Sequence, residues 1–179
     1  MDKLMEDFEK SLFNDSKEAL MDYVEVGIDC FINDGILKEI PIVETIVSVL
    51  NVGKNIHDRN LLKQTLTFIS EFNNNSISKE RLEKYKLKIE NDTKKCEEEL
   101  GRVLLLLNNF IDKEKSIMLA KLFKSYINDI IKWNEFCELS EILHRLFIQD
   151  IETLKIIKDN NITINNENAF RVERLYSIG

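Results

Sequence analysis

Glu141 and His144 stand three residues apart in Glu-Ile-Leu-His, a spacing that puts a carboxylate and an imidazole on one helix face. Carboxylate-bridged di-iron bundles use this Glu-x-x-His half-motif twice. The other histidine, His57, lies in Asn55-Ile-His-Asp-Arg59, so there is no second copy. A lone pair of this kind on an amphipathic helix reads as polar surface, and no metal is expected. His57 with Asp58 and Arg59 could serve acid–base chemistry, since a catalytic histidine needs an orienting carboxylate. These are sequence neighbours at a helix junction, however, where adjacent side chains point apart, and capping or interhelical pairing accounts for them. A cysteine nucleophile needs a histidine base brought to it, whereas Cys137 and His144 lie two helical turns apart. There is no glycine-rich phosphate loop, no Cys-x-x-Cys and no nucleophile elbow. The expectation is a non-enzymatic protein with no cofactor and no small-molecule ligand; a small metal-dependent hydrolase is the chemical alternative.

Residues suited to recognition are easier to find. Tyr126 and Trp133 flank a helix–helix joint, where they form an interaction hot spot or plug the end of a bundle. Leu4, Phe8 and Leu12 recur every four residues and give a short first helix (1–14) a wide apolar face. That helix either packs back on its own domain or exchanges onto a partner or a second copy.

The elements that position these residues follow from composition. One proline and five glycines in 179 residues leave too few turn signals for a sandwich or barrel. A chain that is 32% charged and 44% hydrophobic folds, and this one reads as all-α: a single-domain bundle of seven to nine helices. Its net charge of −7 argues against nucleic acid. The basic run Lys79, Arg81, Lys84, Lys86, Lys88 is interleaved with Glu80, Glu83 and Glu90, as on a solvated helix face. Cys30, Cys96 and Cys137 are odd in number and widely spaced, which reads as reduced cysteines of a cytoplasmic protein. The acidic N-terminus does not read as a targeting signal.

Along the chain, a second helix is expected over Leu20 to Phe31, with Asn33-Asp34-Gly35 as its C-terminal cap. Leu62, Leu66, Ile69 and Phe72 form a one-sided stripe, and Asn73 to Ser76 a linker. The main bundle spans 77–157. Within it Asp92 breaks one long charged helix into two, and Val103 to Leu107 mark a central element. Ile117 to Ile131 and Phe136 to Ile157 are two antiparallel helices joined near Lys132. A polar loop and a short helix close the chain (159–179), either tucked against the bundle or cut short.

Gly35 to Gly53 holds the only proline, Pro41, which suits a first helical turn. Ile42, Val43, Ile46, Val47, Val49 and Leu50 then run almost all round, relieved by a strip of Glu44, Thr45, Ser48 and Asn51. The stretch 35–58 reads as a central core helix or as a segment (35–53) that meets a membrane. Lys38, Glu39 and Glu44 are costly at bilayer depth, so the core reading is preferred.

In organisation the second half resembles a group of bacterial and prophage-encoded helical proteins, the abortive infection alpha type. The likeness is carried by Arg59-Asn-Leu-Leu-Lys-Gln, by Leu119-Ala-Lys-Leu-Phe-Lys-Ser-Tyr-Ile with Glu135-Phe-Cys-Glu-Leu-Ser-Glu-Ile-Leu-His-Arg-Leu, and by Val172-Glu-Arg-Leu-Tyr-Ser-Ile-Gly179. It implies a role in phage defence or its counteraction, exercised by protein–protein contact, and brings no catalytic residues with it.

Overall fold

The computed structural model describes residues 3–13, 40–50, 55–74, 77–158 and 169–178, with the backbone alone at 49, 50 and 156–158. The described residues form nine helices and no strand: α1 Lys3–Leu12, α2 Pro41–Leu50, α3 Ile56–Phe72, α4 Lys79–Asn91, α5 Thr93–Asn109, α6 Lys113–Ile127, α7 Trp133–Arg145, α8 Ile148–Lys158 and α9 Ala169–Ile178. This is the all-α multi-helix bundle expected from the sequence. The expected helix over Leu20 to Phe31, the Asn33-Asp34-Gly35 cap, Cys30 and the 159–168 loop lie outside the described residues.

Helix α3 is the centre. It packs most extensively on α6 and also meets α1, α2 and α5. Between Leu61 and Ile69 only Lys63 is exposed, so Gln64, Thr65 and Thr67 are buried along with the aliphatic stripe. Burial of a polar side chain is tolerated where it finds a partner: the Thr67 hydroxyl donates to Lys63 O at 2.8 Å, whereas the Thr65 hydroxyl has no partner among the described residues. Gln64 Nε2 donates to Ile111 O (2.8 Å) and to Asn60 Oδ1 (3.2 Å), and Gln64 Oε1 accepts from the Ser116 hydroxyl at 2.6 Å. Asn60 Nδ2 donates to Phe110 O at 2.7 Å, which fastens the α5–α6 joint to the first turns of α3. At the other end the buried Lys124 ammonium donates to Glu71 O, Glu71 Oε1 and Asn74 Oδ1 at 2.7, 2.7 and 2.9 Å. A cation there satisfies carbonyls and complements the negative end of the helix dipole. On the apolar side Phe123 of α6 touches Phe68 and Phe72 of α3, Tyr85 of α4 and Phe136 of α7, with ring centroids 5.4–6.1 Å apart.

Helix α1 caps α2. Ser11 Oγ accepts the Ile42 N–H at 2.9 Å, which serves as an N-cap from another helix just after Pro41, and the Thr45 hydroxyl donates to Asp7 Oδ2. Asp7 also sets a carboxylate against the positive end of the α2 dipole.

Four readings from the sequence change. Helices α2 and α5 line the core, but its centre is α3. The stretch 35–58 is not one helix, because Asn55 caps a new one by accepting the His57 N–H at 3.0 Å, and Ile56 to Asp58 are its first turn. On α2, Thr45 is buried against Asp7 while Val47 takes the outward place beside Glu44 and Ser48. The helix expected over Phe136 to Ile157 breaks at Leu146, whose ψ of 144° is extended, and α8 restarts two residues later. By contrast, Asp92 does end α4 and start α5, accepting the Lys95 N–H at 3.1 Å.

Replacing Gln64 with Leu strands a buried Ser116 hydroxyl and a carbonyl, and should cost about 2 kcal/mol in urea denaturation. Adding Ser116→Ala should recover part of that loss, because both ends of one bond are then gone. Strict additivity of the two substitutions would contradict the bonding described.

Candidate functional site

The residues chosen for chemistry do not converge. Glu141 pairs with Arg145 (3.0 and 3.1 Å) and lies 3.9 Å from Arg102, while the His144 ring stacks near-parallel on Phe110 at 6.2 Å. His57 is exposed, with Nδ1 3.6 Å from Asp58 Oδ1. Burial, reinforced by the neighbouring Glu9 carboxylate, pushes the Cys96 thiol up to about 12. Burial also raises Cys137 against the opposing pull of Arg102. Both are therefore protonated thiols at neutral pH, poor nucleophiles and poor metal ligands. Among the described residues no three His, Cys, Asp or Glu side chains gather as metal ligands would.

The recognition residues divide. Phe8 and Leu12 are fully buried in the core, and Leu4 is half-buried at its edge. Ile42, Val43 and Ile46 are buried too, whereas the side chains of Val49 and Leu50 lie outside the described residues. No described helix is long and apolar enough to cross a membrane.

Tyr126 and Trp133 are both partly buried and pack against the core. Trp133 stacks on Phe136 (5.1 Å) and meets Tyr126 at a tilt (5.2 Å), and its Nε1–H donates to Glu98 Oε1 at 2.8 Å. Behind it a polar knot joins α4, α5 and α6. The buried Glu99 Oε1 accepts from Lys88 Nζ at 2.6 Å and from the Tyr126 hydroxyl at 2.8 Å, and Lys88 also donates to that hydroxyl at 2.6 Å. The Lys88 ammonium lies 5.3 and 5.1 Å from the ring centroids of Tyr85 and Tyr126, close enough for cation–π attraction. Burial and the Glu99 carboxylate push both phenols well above their ordinary range. A cleft of about 200 Å³ beside the knot is lined by Arg81, Lys84, Tyr85, Lys88, Tyr126 and Asp129, and Arg81 and Asp129 pair across its mouth.

The exposed aromatic surface lies elsewhere, on α8 and α9. Phe147 is 56% exposed and Phe170 65% exposed. The Arg174 guanidinium sits between them, 4.3 and 5.1 Å from the two ring centroids. It is anchored from beneath by the buried Asp150, which accepts from Arg174 Nε at 3.0 Å and pairs with Nη2. Asp150 also accepts the Phe147 N–H at 3.0 Å, the backward half of a capping box that starts α8. Burial by itself would raise the Asp150 carboxyl; its bonds to Arg174 and to the Phe147 N–H outweigh that and hold it below its ordinary range. Sequence reasoning missed this platform. The one local signal was an acid three residues after Phe147, spaced as in a helix start.

Against models of protein families, curated proteins and solved structures, the chain shows no match.

Lys88→Met should leave the Glu99 carboxylate buried without its cation and cost about 2 kcal/mol, Lys88 being partly exposed. Lys88→Met with Glu99→Met should be more stable than Lys88→Met alone, and the opposite order would contradict the knot. The Asp150 contribution has a definite sign. A carboxyl lowered by folding stabilises above its ordinary value and loses that contribution as pH falls below about 4. The α8–α9 amide signals in NMR should therefore hold steady down to about pH 4, then shift and broaden on further acidification before the rest of the bundle melts. Asp150→Asn should remove the transition, and its persistence would assign it to another group.

Proposed function

We propose that this protein is a non-enzymatic helical interaction module that acts in bacterial antiviral defence, or in its counteraction, by protein–protein contact in the cytoplasm. One observation carries the reading of an interaction module: an arginine set close to the rings of two exposed phenylalanines and fixed by a buried carboxylate. Aromatic residues and arginine are the types enriched where interfaces concentrate their binding energy. Here the guanidinium is already ordered, so little side-chain entropy remains to be lost on docking. Among the described residues α8 and α9 pair with each other and make only weak contact with any other helix. The assignment to defence is supported by the resemblance of the second half to abortive infection alpha proteins. The titratable residues at the core joints act as struts: Lys124 closes α3, and Lys88 with Glu99 ties α4 to α5.

The test is phage plating on cells expressing the chain. The wild type should change plating efficiency, and Phe147→Ala with Phe170→Ala should reduce the effect at least about tenfold, as for loss of one hot-spot anchor. The variant's circular dichroism should be unchanged, because both rings are more exposed than buried. A folded double variant that behaves as wild type would overturn the platform as the contact surface. A wild type with no effect on any phage tested would overturn the defence role.

A further inference from the structure

Helix α1 lies against α5 so closely that a Cβ on Gly101 would stand 3.1 Å from Met5 Cε. A groove of about 430 Å³ opens beside this contact. Leu4, Met5, Leu104 and Leu105 are its apolar lining, Leu105 being 67% exposed, and Glu97 and Glu98 are its acidic lining. Its one lining cation, Arg102, is drawn toward α7: Nε donates to Ser140 Oγ at 3.3 Å and Nη2 to Cys137 O at 3.0 Å, with Glu141 at 3.9 Å. The charge the groove presents is therefore acidic. A second cleft of about 330 Å³ follows along the same α1–α5 seam, with Glu6, Glu9 and Glu90 on its walls. Its lysine, Lys10, is bonded to Glu6 at 2.7 Å.

We infer that this groove is a docking site for a basic amphipathic helix of a partner protein, a second surface separate from the α8–α9 platform. The inference rests on the reading of the chain as an interaction module. An apolar lining at a helix–helix seam takes apolar anchors spaced i, i+3, i+4 and i+7, and carboxylates in the same lining select lysine and arginine on the flanks. A second copy of this chain is the poorer occupant, because it would bring carboxylates to carboxylates in a chain of net charge −7.

The full chain is titrated, by fluorescence anisotropy, into a fluorescein-labelled helix-forming peptide of leucine and lysine with leucines at those four positions. The same peptide with every lysine replaced by glutamate is the comparison. The lysine peptide should bind and the glutamate peptide should not. Leu105→Ala should weaken binding about fivefold, the effect of losing one apolar contact. Glu97→Gln with Glu98→Gln should weaken it about threefold and flatten its salt dependence. The Glu98 change keeps an acceptor for Trp133. Ile111→Ala, on the exposed α5–α6 joint, should leave binding unchanged. No binding by the wild type, equal binding of the two peptides, or indifference to Leu105→Ala would each overturn the inference. Failure here, with phage plating still dependent on Phe147 and Phe170, would remove the groove and leave the interaction module standing.

Discussion

A helix whose middle turns are almost wholly buried depends on its neighbours for polar partners, and α3 places that demand through Gln64 and its C-terminal turn. Burying Gln64 requires the Ser116 hydroxyl and the Ile111 carbonyl at fixed positions, which sets where α5 ends and α6 begins. At the end of α3 the buried Lys124 of α6 donates to the Glu71 carbonyl and carboxylate and to Asn74, adding a cation to the last turn. The two sets of bonds pin α6 alongside α3 at both ends. Between them Phe123 has one depth at which it can meet Phe68 and Phe72. The polar bonds set register and the aromatic contacts supply most of the burial, so neither substitutes for the other.

The same device recurs at smaller scale. Glu99 gathers Lys88 and Tyr126 to tie α4, α5 and α6 together; Asp150 gathers Arg174 and the Phe147 amide to tie α9 to the start of α8. In each case a buried carboxylate is neutralised by a cation that carries its charge into a less buried place. The residues that looked chemically capable are thereby committed to holding helices at set angles. Two surfaces remain beside these struts: the α8–α9 platform, where Phe147 and Phe170 are exposed around a largely covered Arg174, and the acidic seam beside α1. The capping of α2 by Ser11 and Asp7 explains why α1 has a firm seat despite its short length.

The sequence made the fold class legible through what it lacks: one proline and five glycines cannot punctuate a β fold. It also located the α4–α5 break, because Asp92 is a local cap, and the α6–α7 joint. It misplaced the centre because Gln64, Thr65 and Thr67 look like an outward face, and the partners of Gln64, Ile111 and Ser116, are 47 and 52 residues away. Thr45 and Val47 exchanged roles for the same reason, since Asp7 is 38 residues from Thr45. The α7–α8 break rests on Asp150, whose second partner, Arg174, is on another helix. Among candidate contact residues, periodicity marked Phe8 and Leu12 as apolar but could not tell a core face from a docking face. Phe147 and Phe170 are exposed only because nothing among the described residues folds over them.

Native-state hydrogen exchange measures the central claim directly, because amides in the best-sealed helix exchange only when the whole bundle opens. The account predicts that the amides of Leu61 to Ile69 are the slowest in the chain, with opening free energies equal to the global unfolding value from denaturant titration. Those of α8 and α9 should exchange sooner through a local opening. If the slowest amides instead lie in α2 or in α5, with α3 exchanging through a smaller opening, then α3 is not the helix around which the others are arranged.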